Sequence, residues 1–93
     1  MKLTKTLKVK NDLGLHIRPA AKIVKLFQNT KCVVSFSYKK ETINAKSIMS
    51  ILMLAAKKNA KILVIIDGPN AKELMEKLTK KFEKRFGEED AVS

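Results

Sequence analysis

Leu3, Leu7 and Val9 alternate with Thr4, Thr6, Lys8 and Lys10, the period of a half-buried strand, with Lys5 the one polar residue on the apolar face. After a loop from Asn11 to Gly14 the period changes. Ala20, Ile23, Val24 and Phe27 fall on one helical face, with Ile17, Ala21 and Gln28 beside it, which predicts a helix from Ile17 to about Gln28. Strand period returns from Lys31 to Tyr38, with Cys32, Val34, Phe36 and Tyr38 on one side. Lys39 and Lys40 then connect to a short strand, Glu41 to Asn44, as a hairpin without an Asn-Gly turn.

Ser47 is a good N-cap for a second helix, in which Ile48, Ile51, Leu52 and Ala55 are spaced to face the core. Lys57-Lys58-Asn59 is expected to end it, with Asn59 as a left-handed cap. Lys61 to Ile66 is a β-branched strand, apolar on both faces. Asp67-Gly68-Pro69 turns the chain. Asn70 and Glu73 have capping-box spacing for a last helix, whose Ala71, Leu74, Met75, Leu78, Phe82 and Phe86 recur at helical period. Glu73–Lys77 and Glu76–Lys80 are i,i+4 pairs on its wet side, and Gly87 is its expected stop. Glu88 to Ser93 reads as a loose acidic tail. The order β-α-β-β-α-β-α, with adjacent strands in the middle, predicts an α+β two-layer sandwich with an antiparallel or mixed sheet.

Composition narrows the function. The 93 residues, 45% apolar, make one small globular domain. No apolar run approaches a membrane span, and no apolar signal core follows Met1. The single cysteine, Cys32, excludes an internal disulfide and fits a cytoplasmic location. One His and one Cys make no metal cluster, and no metal or other cofactor is expected. A net charge of +11 predicts attraction to acidic partners, but a solvated surface is the simpler account.

The chemistry concentrates in Asn11-Asp12-Leu13-Gly14-Leu15-His16-Ile17-Arg18-Pro19-Ala20-Ala21, which holds the only histidine. A turn runs directly into a helix start there, where unpaired N–H groups attract anions. Ile17 and Arg18 belong to that phosphate-stabilising start. Arg18 adds a guanidinium able to bond phosphate in a forked geometry, and Pro19 stiffens the first turn. Neutral imidazole is a nucleophile near pH 7. The simplest chemistry for this set is a phosphoryl group accepted on a ring nitrogen and passed on.

Gly14-Leu15-His16-Ile17-Arg18-Pro19-Ala20-Ala21 resembles the active-site signature of the HPr family, histidine-containing phosphocarriers of the bacterial phosphoenolpyruvate:sugar phosphotransferase system. Ile17 departs from the small or polar residue usual after the histidine. The resemblance implies an open-faced sandwich with a four-stranded antiparallel sheet covered on one face by three helices. It assigns residues 1–87 to a phosphocarrier domain ahead of the 88–93 tail. It implies that His16 takes a phosphoryl group from enzyme I and passes it to IIA-class components, with Arg18 neutralising the charge. Such a protein is a carrier within a relay, without turnover of its own. Lys46-Ser47-Ile48-Met49 resembles the segment modified by HPr kinase/phosphorylase, which implies regulation through Ser47; spacing alone makes Ser47 an N-cap. Ile48, Met49 and Leu52 correspond to a partner-docking patch. Positions near Ala56 and Asn59 are often glycine in the family, and Asn can adopt the glycine conformation. A monomer without membrane insertion is expected.

Two other readings stand beside this one. A regulatory adaptor controlled through Ser47 would need no chemistry at His16. A nucleic-acid-binding domain is suggested by charge alone, and with one Tyr and no Trp the chain has few rings to stack on bases, so nucleic acid is not an expected partner.

Overall fold

A computed structural model describes residues 1–88 of the chain. Four strands, β1 (Lys2–Lys8), β2 (Val33–Tyr38), β3 (Glu41–Asn44) and β4 (Lys61–Asp67), form one sheet in the order β1-β4-β2-β3, and every neighbouring pair is antiparallel. Helices α1 (Ile17–Phe27), α2 (Ile48–Met53) and α3 (Ala71–Glu83) cover one face, and a 3-10 turn, Arg85–Gly87, follows. The predicted element order and sandwich are therefore both present.

Register follows the two-residue period of the strands. Leu7 pairs with Ile62, Val34 with Ile66 and Phe36 with Val64, and all six point into the core. Their opposite neighbours Thr4, Thr6, Ser35 and Ser37 lie with Leu63 and Ile65 on the open face. Phe27, Phe36, Phe82, Ile23, Ile51 and Leu78 close the space between sheet and helices. Each such side chain contributes about 1.5–3 kcal/mol by leaving water. Phe82 meets Phe36 and Phe86 edge-to-face, at centroid distances of 6.2 and 5.1 Å.

Several local expectations are corrected. Ile17, Ala21 and Gln28 are exposed rather than flanking the core. The second helix stops at Met53, because Ala55 turns left-handed at φ 51° and so faces solvent; Ile48, at the other end, lies at the margin of exposure, and Ile51 alone of the helix is buried. Asn59 is left-handed, at φ 74°, but lies in the following loop. Asn70 precedes α3 in a left-handed conformation, φ 63°, which turns its side chain away from the helix N–H groups, so the capping box does not form. α3 itself ends at Glu83, before left-handed Arg85 and Phe86, so Gly87 is not its stop. Glu73 pairs with Lys77 at 3.3 Å, whereas no ion pair joins Glu76 to Lys80. The β2–β3 turn is made by Lys39 and Lys40, both left-handed at φ 48° and 67°, the shape that Asn-Gly would otherwise supply.

Candidate functional site

The loop before α1 is built from backbone contacts that need glycine. Gly14 adopts φ +69°, and a Cβ there would lie 2.2 Å from the Ala56 carbonyl oxygen. That approach lets the Leu15 N–H bond the Ala56 carbonyl at 2.9 Å. The Val9 carbonyl accepts from Asn59, and Lys58 pairs with Asp12 at 2.8 Å. The α2–β4 connection thus clamps the loop that presents His16. Buried Leu15 and Pro19 hold it from below.

His16 occupies the N-cap position of α1 in an extended conformation, and its side chain makes no cap hydrogen bond. Pro19 has no N–H, and the Ala20 N–H returns to the His16 carbonyl at 3.0 Å. The N–H groups of Ile17 and Arg18 are left pointing out of the helix end. No acidic residue stands in the first turn to offset the dipole. The His16 side chain is 28% exposed. Its Nε2 is enclosed and lies 2.8 Å from Glu88 Oε2, whereas Nδ1 is neither enclosed nor bonded to a described residue.

Glu88 is itself held. Asn11 is 1% exposed, and its amide donates to the Arg85 carbonyl at 2.7 Å and to Glu88 Oε1. Burial pushes the Glu88 carboxyl up, but the Asn11 hydrogen bond, the His16 contact and the Arg18 charge outweigh it. The group therefore titrates below the ordinary glutamate value. Arg18 is exposed at the helix start and makes no ion pair among the described residues.

The structure brings His16, Ile17 and Arg18 together at one helix end. Ser47 lies at another: it N-caps α2, its Oγ accepting from the Ser50 N–H at 3.2 Å. Of the expected docking residues Met49 is 67% exposed, Ile48 sits at the margin of exposure and Leu52 is half-buried. Met53 (72%) and Ile17 (64%) extend the apolar surface on α2 and α1, which pack together. Asn11 and Glu88 were missed by sequence reasoning. Asn11 passes for an ordinary turn residue, and Glu88 falls in the acidic tail; the rest of that tail, residues 89–93, lies outside the described residues.

A family model for the PTS HPr component phosphorylation site matches residues 3–84, nearly the whole chain. The chain belongs to the HPr family. Phosphocarrier protein HPr of Chlamydia muridarum is 49% identical over 80 residues, which cover 86% of this chain and 77% of that protein. HPr of Xylella fastidiosa is 41% identical over 83 residues, covering 89% and 93%. The crystal structure of HPr-C-His from Thermoanaerobacter tengcongensis superposes with a TM-score of 0.88 at 31% identity, covering 94% of this chain and 98% of that one. The four-stranded antiparallel sheet under three helices is thus the HPr fold, and the chain is a phosphocarrier of the phosphotransferase-system type. Among the described residues no helix is long and apolar enough to cross a membrane.

Proposed function

We propose that His16 accepts a phosphoryl group from enzyme I and donates it to IIA-class components of a sugar phosphotransferase system. The observation that carries this reading is the asymmetry of the His16 ring, with Nε2 against Glu88 and Nδ1 open. An ionised carboxylate only accepts hydrogen bonds, so it favours the tautomer with the proton on Nε2. The Nδ1 lone pair is then the nucleophile. As the bond from phosphorus to the donor breaks, a P–N bond forms at Nδ1, and the ring gains positive charge that Glu88 balances across Nε2. Donation to the next acceptor reverses these changes and leaves a neutral ring.

The exposed phosphoryl oxygens would be met by the Ile17 and Arg18 N–H groups and the Arg18 guanidinium. Among the described residues none of these donors has a hydrogen bond or ion pair to give up. The carrier would dock its partners through Ile48, Met49 and Leu52, with Met53 and Ile17 alongside. Incubation with phosphoenolpyruvate and enzyme I tests the reading. The expected product is an acid-labile phosphorylated protein, absent in His16→Ala; an unchanged mass shift in that variant would refute it.

Ser47 supports a second, compatible role. Its half-buried hydroxyl opens a helix beside the apolar patch, so a phosphate added by HPr kinase/phosphorylase would put negative charge at the docking surface. Phosphorylation with ATP and that kinase should appear in the wild type and vanish in Ser47→Ala. Modification elsewhere, or none, would remove this role.

A further inference from the structure

Six lysines line a groove between α1 and α3. Lys22 and Lys25 line one wall, and Lys77, Lys80, Lys81 and Lys84 the other; Leu26 and Phe86 are the apolar residues between them. The cavity volume is about 740 Å³. Small-molecule sites have volumes of roughly 300–1,000 Å³. Among the described residues no carboxylate lines it.

The lysines stand in a costly arrangement. On α3 and its C-cap residue Lys84 they recur at i, i+3, i+4 and i+7, and on α1 at i and i+3, so like charges face one another along both walls. Lys77 is relieved by Glu73, at 3.3 Å, and the Lys22 ammonium bonds the Phe86 carbonyl. Lys25, Lys80, Lys81 and Lys84 have no ion pair among the described residues. A concave, positive surface concentrates field and favours an anion with several charges.

We propose that this groove binds a small molecule carrying two or more phosphate groups. Lysine ammoniums are mobile point charges that can follow separate phosphates, and a lining without arginine offers no forked recognition of a single carboxylate. A single-stranded nucleic acid is the less suitable occupant, because the one ring in the lining, Phe86, is buried and cannot stack on bases. The site is separate from the His16 chemistry, and its test does not depend on phosphoryl transfer.

The test is a titration of the intact chain with inorganic tripolyphosphate, ATP, a hexose bisphosphate and an oligonucleotide of charge matched to ATP, followed by amide chemical shifts at about 0.15 M salt. Saturable binding, with shifts confined to residues 22–26 and 77–87, is expected. Lys80→Gln/Lys84→Gln should weaken it about tenfold or more, and Lys5→Gln/Lys8→Gln on β1 should not. Equal binding of tripolyphosphate and ATP would assign recognition to phosphate alone. Tighter binding of ATP would add a nucleoside contact, and tighter binding of the bisphosphate a sugar contact; each supports the site. Shifts spread over lysines of the whole surface, equal losses from both double variants, absence of saturation, or preference for an oligonucleotide of matched charge over ATP would each overturn it.

Discussion

Two helix starts of this domain face opposite fates. At α2 the chain supplies one acceptor to its own helix end, because Ser47 Oγ takes the Ser50 N–H. At α1 it supplies none: His16 makes no cap bond, and Pro19 at the matching position has no N–H to be capped, while the first two N–H groups point outward at both ends. The self-capped end gains stability at once. The uncapped end gives up that gain and leaves its partial positive charge open to a visiting anion. A phosphate on Ser47 would have to replace an existing cap bond, whereas one on His16 would displace no side-chain cap. The difference suits a regulatory mark at one end and rapid exchange at the other.

The contrast can be broken in order of effect. His16→Ala should abolish phosphoryl acceptance while leaving thermal unfolding nearly unchanged, as followed by mass and circular dichroism. Arg18→Ala should slow transfer by about a hundredfold, the scale of losing one preorganised charge partner, with the fold intact. Rapid-quench transfer rates measure it, and an unchanged rate would mean that the guanidinium plays no part. Gly14→Ala should cost about 2–3 kcal/mol, because left-handed backbone and the Ala56 carbonyl both oppose a Cβ; denaturant unfolding reads this directly.

Ser47→Ala should cost about 1 kcal/mol from the lost cap, a loss that His16→Ala lacks. Glu88 gives the smallest effect, one that depends on pH. Its carboxyl titrates below the ordinary glutamate value, so its contribution to stability is complete above that value, about 4.3, and is lost as pH falls through the lower, folded one. Glu88→Gln should therefore flatten the acid limb of a stability-against-pH curve without changing its neutral plateau in shape.

The sheet and the outer helices were legible because each buries one face, and a buried face writes its period into the sequence. Leu7, Val34, Phe36 and Ile62 carry the strand period, and Ile23, Phe27, Leu74 and Leu78 the helical one. Helix ends were less legible, because Ala55, Arg85 and Phe86 adopt left-handed backbone that their side chains do not advertise. His16 and Arg18 could be found because the turn, the helix start and the signature are contiguous. Their support could not, since Asn11 reaches Arg85 and Glu88 across most of the chain length. The lysines of α3 read in the sequence as a solvated surface, and only the fold sets them against Lys22 and Lys25.

The central claim is that the His16 ring is used from one side. Ring-nitrogen NMR of the protein labelled in histidine, after phosphorylation by phosphoenolpyruvate and enzyme I, tests it most directly. A phosphorus coupling to Nδ1, with the proton retained on Nε2, is the predicted result. Coupling to Nε2, or a phosphoryl group on any other residue, would contradict it.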